Sequence, residues 1–467
     1  MFANPLAPEW LDTPAEANSL PSTVWSQNST RTKTGELAIA GVAASELVRH
    51  FGTPVYVIDE ADAIARATEI KAAFDGEFAR IGSSVTVYYA AKAFLCTEIA
   101  RWMTAAGLNI DVASAGEMAV ALAAGVDASL LGFHGNNKSL SEIDRAVCAG
   151  IGTIVIDSVV EIGRIAEAAT RHGRTQRVRL RINSGVHAST HEYLATARED
   201  QKFGIPLSDA EAVVARIRSH SSLKFVGIHS HIGSQIFDTA GFAEAARRLL
   251  ELHARLSADT PVPELNLGGG FGIAYTSADA ALPVAELAAS LASIVDAECT
   301  RLGIDVPLIA IEPGRSIIGP STTTLYTAGT IKDVLVDGGA VRKYVSVDGG
   351  MSDNLRTALY GADYSARIAN RVSSAGSVLV RIAGKHCEAG DIVVRAEYLP
   401  GDVEPGDVIA VPATGAYGWA MSNNYNYLAR PPVVAVRDGK SRIIVRGETE
   451  DDLLSRDAGI TPSGDSE

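Results

Sequence analysis

An alternation restricts this chain more than any other feature. Short runs of β-branched and aromatic residues fall at 55–58, 85–90, 109–112, 130–133, 153–156, 178–182, 225–229, 265–267 and 308–311. Between them lie alanine-rich segments of helical spacing and length, for example 114–124, 161–171, 208–219 and 241–258. Parallel strands need long crossovers, so strands that alternate with helices predict a parallel α/β architecture. Nine runs are one more than a (β/α)8 barrel needs. If the first belongs elsewhere, the eight from Val85 onward close the barrel, and Lys92 follows its first strand. A doubly wound open sheet fits the same alternation, and periodicity alone does not separate the two.

The texture changes after about Ser316. Thr-, Val- and Gly-rich runs at 322–336, 343–348, 378–382, 391–396, 408–411, 433–437 and 442–446 are broken by turn residues. They predict an antiparallel β domain, to which residues 37–58 can add strands. The expected plan is an irregular arm over 1–34, N-terminal strands over 35–59 that join the β domain, a barrel over 60–316, a β domain over 317–450 and a polar tail over 451–467. Trp10, Leu11 and Trp25 predict that the arm packs on something.

Composition narrows the function. A chain of 467 residues, 47% hydrophobic, has material for two cores. A net charge of −14 argues against nucleic acid or an anionic membrane surface as partner. Cys96, Cys148, Cys299 and Cys387 are scattered without a CxxC, which predicts neither a zinc ribbon nor a disulfide framework and suits a reducing cytoplasm. MFANPLAPEW has no basic or long apolar stretch, so no secretory signal is expected. No uncharged apolar run has the length of a membrane span.

Barrel enzymes carry their chemistry at the C-terminal ends of the strands. In YYAAKA, Lys92 ends a buried run, where its ammonium is costly to bury and a desolvated amine becomes a nucleophile. That suits a Schiff-base lysine; a snorkelling lysine is the plain alternative. Other strand ends bring Asp111, Arg181, the pair His229 and His231, the run Gly268 to Gly272, and Glu312 with Arg315. A glycine loop lets backbone N–H groups approach a phosphate, and barrel phosphate sites favour the loops after strands seven and eight. Glu312 beside it suits a partner for a pyridine nitrogen, or forms an ion pair with Arg315. His229 and His231 share a strand face, so the two fit a metal pair, a ring stacked on a planar cofactor, or core histidines. In the β domain, Cys387 and Glu388 form a polar tip between strands. Tyr417 lies in a Gly/Tyr/Asn-rich stretch near the C-terminus.

YYAAKA, DVASAGE, HSHIGSQ, LGGGFG, EPGRS, GKHCEAGD and GAYGWAMSNNYN, in this order, resemble the fold-type III pyridoxal phosphate (PLP) dependent decarboxylases from about Thr34 to Glu450. Within that family the likeness is to the branch that converts meso-2,6-diaminopimelate to L-lysine, the last step of bacterial lysine biosynthesis. The resemblance implies an alanine-racemase-like (β/α)8 TIM barrel with a C-terminal antiparallel β domain. It implies Lys92 as the residue that carries pyridoxal 5'-phosphate, His231 stacked on the ring and Glu312 at the pyridine nitrogen. Ser234, Gly269, Gly270, Arg315 and Tyr417 would cradle the phosphate, with Asp111 and Arg181 orienting Lys92 and the ring. Arg356, Tyr360 and Arg315 would read substrate carboxylates, with Tyr417 close by. Cys387 and Glu388 would reach the site of the other subunit, which makes the active form a homodimer with shared sites.

An arginine at position 356 suits a diacid, because it would repel the distal amine of ornithine. The alternatives are a decarboxylase for ornithine or arginine, a racemase, a non-catalytic PLP carrier, and a metal-dependent barrel hydrolase using His229 and His231. A racemase would need a tyrosine base opposite Lys92, where Cys387 matches the decarboxylases instead. Three features depart from the family pattern: Asn183-Ser184-Gly185, the loop Val186-His187-Ala188-Ser189-Thr190-His191, and Trp419 where a second tyrosine is frequent.

Overall fold

A computed structural model describes residues 4–186, 202–336 and 338–460. The loop at 187–191, singled out above, lies outside the described residues. The chain divides into two compact units. One comprises Ile64–Ile273 and Ala281–Ile317; the other comprises Met1–Ala63, Ala274–Ala280 and Ile318–Glu467.

The first unit is the barrel. Its strands are Val85–Ala90, Asn109–Val112, Leu131–Phe133, Thr153–Ile156, Gln176–Asn183, Leu223–His229, Glu264–Asn266 and Leu308–Ile311. Every neighbouring pair is parallel, and the ring closes where Ile309 pairs with Val85. Closure decides against the open sheet. It also explains why strands such as Thr153–Ile156 are buried at every position: helices cover the outer face and side chains fill the inner one. The helix Val159–Arg171 buries Ile162, Ile165, Ala166 and Ala169, one face at helical spacing. Helix starts are marked by caps. Ser114 accepts from the Glu117 N–H before Ala115–Ala123, and Ser139 with Glu142 forms a capping box before Leu140–Ala149.

The second unit is built on a nine-stranded sheet. Val55–Asp59 sits inside it, antiparallel to Thr322–Leu335 on one side and parallel to Val433–Arg437 on the other. The first of the nine runs therefore belongs here and not in the barrel. Most pairings are antiparallel, as expected, but Val341–Val347 and Ser377–Ala383 are also parallel. A parallel pair requires a crossover, and this crossover contains the short helix Arg356–Tyr360.

Of the 35–59 segment only Val55–Asp59 enters the large sheet. Leu37–Ile39 and Val42–Ala43 form a separate three-stranded sheet with Ser29–Arg31, followed by the helix Ala44–Phe51. The arm packs at two places. Trp25 is buried with Leu37, Leu47, Val55, Val57 and Val434, and Leu6, Ala7 and Leu11 rest on Leu379, Ala396 and Tyr398.

Candidate active site

At the C-terminal end of the barrel strands, a cavity of about 300 Å³ is lined by Lys92, Asp111, Glu117, His134, Arg181, His229, His231 and Glu312. All but Glu117, which stands on the helix Ala115–Ala123, lie at or just beyond a strand end. Lys92 stands in a 3-10 turn, Ala91–Ala93, immediately after the first strand. The turn lifts it out of the apolar wall between buried Ala91 and Ala93, so Lys92 is exposed to the cavity mouth. The expectation of a buried amine at a strand end is corrected here: the strand stops at Ala90, and Lys92 is exposed.

Glu312, at the end of the eighth strand, is the electrostatic centre. Its Oε1 accepts from Asn266 Nδ2 at 2.8 Å and lies 3.1 Å from His229 Nε2 and 3.5 Å from His134 Nε2. Burial alone would raise this carboxyl, but His229 and His134 outweigh it and hold it well below the usual range. Asp111 goes the other way. Its Oδ1 lies 3.2 Å from His134 Nε2, and burial together with the Glu312 charge pushes it well above the ordinary value. Two carboxyl groups around one imidazole are thus shifted in opposite directions. Burial also lowers the histidines: His134 falls to about 4, and His229 and His231 are lowered as well. All three are neutral near pH 7. The His134 and His229 rings meet edge-to-face at 5.0 Å.

The glycine loop closes one side. A Cβ on Gly269 would stand 2.1 Å from the Glu312 carbonyl oxygen, and one on Gly270, at φ +101°, 2.3 Å from that of Gly233. Only glycine lets the loops after strands six, seven and eight meet this closely. Beside them Arg315 Nη2 donates to Ser234 Oγ at 2.9 Å, and the Gly269 N–H donates to His231 Nδ1 at 3.4 Å. Arg181 lies over Phe203 at 4.2 Å.

These residues fit pyridoxal phosphate. Both Asp111 carboxyl oxygens, His134 Nε2 and both His229 ring nitrogens are buried without a hydrogen-bond partner among the described residues. Buried polar atoms left in this way are costly unless a bound group uses them. An anionic Glu312 suits a protonated ring nitrogen, and the Gly269–Gly270 turn with Arg315 and Ser234 suits a phosphate.

The β unit carries the other expected residues. Arg356 is 6% exposed and packs against the rings of Tyr275 at 4.4 Å and Tyr364 at 5.5 Å, donating to the Tyr364 hydroxyl. Tyr360 is 61% exposed. Tyr417 is half-buried at φ +61° and contributes to the field at Arg356. The Cys387-Glu388 tip is exposed on a framed base. His386 Nδ1 donates to Asn426 Oδ1 at 3.1 Å, and its Nε2 accepts from Ser352 Oγ at 2.8 Å. Asp391 accepts from the Met351 N–H at 2.6 Å and the His386 N–H at 2.8 Å. Three sequence motifs, DGGMSDN, GKHCEAGD and SNNYN, are knitted together there.

The structure thus gathers Lys92, Asp111, Arg181, His231 and Glu312 in one cavity, with Ser234, Gly269, Gly270 and Arg315 on adjoining loops of the same unit. Arg356, Tyr360, Cys387, Glu388 and Tyr417 lie in the other unit. Sequence reasoning missed His134, Asn266 and Glu117. Asn266 carried a signal, a polar residue inside the apolar run 265–267, and Glu117 stands within the quoted DVASAGE. The hydrolase alternative paired His229 with His231. The side chains that come within 4.8 Å of one another in a metal-like group are instead His134, His229 and Glu312.

Comparison with known proteins agrees with the geometry. Residues 62–319 match the family described as the pyridoxal binding domain of pyridoxal-dependent decarboxylases, which defines the class and its cofactor, pyridoxal phosphate. The chain is 50% identical over 440 residues to the diaminopimelate decarboxylase of Mycobacterium tuberculosis, covering 92% of this chain and 97% of that protein. It is 43% identical over 427 residues to that of Bacillus subtilis, covering 91% and 95%. Among solved structures, the diaminopimelate decarboxylase of M. jannaschii in complex with L-lysine superimposes with a TM-score of 0.86 at 31% identity, covering 94% of this chain and 98% of that one. The chain belongs to the diaminopimelate decarboxylase family.

Proposed function

We propose that this chain removes CO2 from meso-2,6-diaminopimelate to give L-lysine, the last step of lysine biosynthesis, with Lys92 as the residue that carries the cofactor. The observation that carries this reading is one cavity that holds the Lys92 amine, a buried anionic Glu312 and a glycine-rich phosphate loop. When bound, pyridoxal phosphate supplies an electron sink for the pair released as the C–C bond to the carboxylate breaks. Glu312, kept anionic between His229 and Asn266, would hold the ring nitrogen in its protonated form. His231 would cover one face of the ring. Gly269, Gly270, Ser234 and Arg315 would hold the phosphate, and Asp111 with Arg181 would orient Lys92 and the ring edge.

Arg356 sets specificity. A guanidinium stiffened by two tyrosine rings presents a fixed fork to a carboxylate. Diaminopimelate has a distal carboxylate for it and ornithine has none. Tyr360 and Arg315 assist at the carboxylates. Glu388 reads the distal ammonium, and Cys387 Sγ or Lys92 Nζ returns a proton to the carbon that lost CO2. The exposure of the Cys387-Glu388 tip supports its use by a second copy of the chain, so the working form is a homodimer with shared sites. The domain plan follows: the arm and residues 35–59 with 317–450 make the β unit, and 60–316, apart from 274–280, make the cofactor-binding barrel. No helix among the described residues is long and apolar enough to cross a membrane, and the cysteines are unpaired; both agree with a cytoplasmic enzyme.

The test is CO2 release from meso-diaminopimelate, ornithine, L-lysine and arginine in parallel, with and without added PLP. Turnover of meso-diaminopimelate alone, dependent on PLP and yielding L-lysine, is the expected result. Turnover of ornithine or arginine would overturn the role of Arg356 while keeping the cofactor chemistry.

A further inference from the structure

We propose that Lys138, which lies outside the cavity, is a positioning residue for the cofactor site: through Glu161 and Asp157 it fixes Arg181, and through Gly135 it fixes the His134 loop. The proposal rests on the PLP reading above.

Lys138 is 2% exposed. Its Nζ donates to the carbonyls of Gly135 and Val155, both at 2.7 Å, and to the two Glu161 carboxylate oxygens at 3.0 and 3.1 Å. A buried ion pair rarely stabilises a fold more than apolar residues of the same shape, so stability alone does not account for this one. Its geometry does. Gly135 and Val155 belong to the loop after the third barrel strand and to the fourth strand, and one ammonium ties them together. Gly135 directly follows His134, the imidazole that touches Asp111 and Glu312.

The second arm of the network runs through Glu161. Its Oε2 accepts from the Asp157 N–H at 2.7 Å, which seats Asp157 at the end of the fourth strand. Asp157 Oδ2 accepts from the Gly204 N–H at 3.3 Å, and Oδ1 faces Arg181 Nη1 at 3.7 Å with no hydrogen-bond partner among the described residues. Arg181 is thereby held between Asp157 and the Phe203 ring, on the wall of the cavity that Lys92 and Glu312 share. Lys138 is not among the residues lining the cavity, but the two groups it seats, His134 and Arg181, are.

The experiment compares Lys138→Met with the double variant Lys138→Met/Glu161→Leu, which leaves no unpaired buried charge. Melting temperature reports the structural role. The equilibrium affinity of the apoenzyme for PLP and the absorption maximum of the bound cofactor report the positioning role. The double variant is expected to regain most of the wild-type melting temperature. It should still bind PLP roughly tenfold more weakly, the size of coupling within one hydrogen-bond network, with a shifted absorption maximum. Wild-type affinity and spectrum in a folded double variant would overturn the proposal. Should neither variant fold, Asp157→Asn removes only the charge that faces Arg181. Weaker PLP binding with a shifted maximum is then expected, and an unchanged value of both overturns the proposal. Failure of the wild-type apoenzyme to bind PLP would sink the cofactor reading and this proposal together; an unchanged variant sinks this proposal alone.

Discussion

The two units hold their chemistry in opposite ways. In the barrel, Glu312, Asp111, His134 and His229 are crowded in a closed pocket, where their charges are settled by one another. In the β unit, Cys387 and Glu388 stand on an exposed tip whose base is rigid and whose ends face solvent. The barrel therefore gathers its charged groups around one cavity, whereas the tip presents Cys387 and Glu388 to solvent. Preorganisation belongs to the first and exposure to the second.

Five substitutions can break or sharpen this contrast. Lys92→Ala should cost most, on the order of 10⁴-fold or more in turnover, as expected for loss of a covalent partner. Borohydride treatment of the PLP-loaded variant should fix no label at position 92, and fixation at the wild-type level would refute the assignment. Glu312→Gln keeps the shape and removes the anion. A loss of roughly 10²- to 10⁴-fold in kcat is expected, with PLP still bound, because the ring nitrogen then loses its proton-holding partner.

In the β unit, Arg356→Met should raise KM for meso-diaminopimelate by about 100-fold, the scale of a lost buried charge partner. Ornithine, which lacks the distal carboxylate, should be no worse a substrate than before; an equal loss for both would mean that Arg356 is purely structural. Mixing Lys92→Ala with Glu388→Ala chains tests the tip. If sites are shared in a two-fold dimer, random pairing restores about a quarter of the wild-type rate. Hybrid dimers without recovery would confine each site to one chain.

The smallest effect concerns pH. Burial pushes the Asp353 carboxyl up to about 7, against the hydrogen bonds from the Tyr326 hydroxyl and the Gly350 N–H. The folded chain thus keeps this proton where the unfolded chain, titrating near its usual value of about 4, has released it. The stability contributed by the neutral form is full below about pH 4 and is lost as pH rises through about 7. Relative to Asp353→Asn, the wild-type melting temperature should fall by several degrees between pH 5 and pH 8. A constant difference across that range would contradict the shift.

Much of the barrel was legible because each of its strands is a compact apolar run followed by a polar or glycine signal. Gly268 to Gly272 and EPGRS could be placed at strand ends before any geometry was known. His134 could not. It follows a strand of three residues, Leu131–Phe133, and gains meaning only when closure of the ring brings it against Asp111 and Glu312. Lys138 was invisible for the same reason, since its partner Glu161 lies beyond the fourth strand, on the helix Val159–Arg171. Lys92 was found by its position but misjudged in its surroundings, because a 3-10 turn leaves no periodic trace. The parallel pairing of Val341–Val347 with Ser377–Ala383 was also hidden: strand texture reports faces, not direction.

The place of Val55–Asp59 inside the large sheet has a consequence for how the protein is made. Both strands beside it, Thr322–Leu335 and Val433–Arg437, are translated long after it. During synthesis this apolar segment leaves the ribosome without neighbours and stays unpaired while the barrel behind it is completed from contacts closer in sequence. For that interval the nascent chain carries an open, aggregation-prone strand at its leading end. Chaperone capture of chains stalled before residue 322, and its release once residue 437 has emerged, would be the cellular signature of that order.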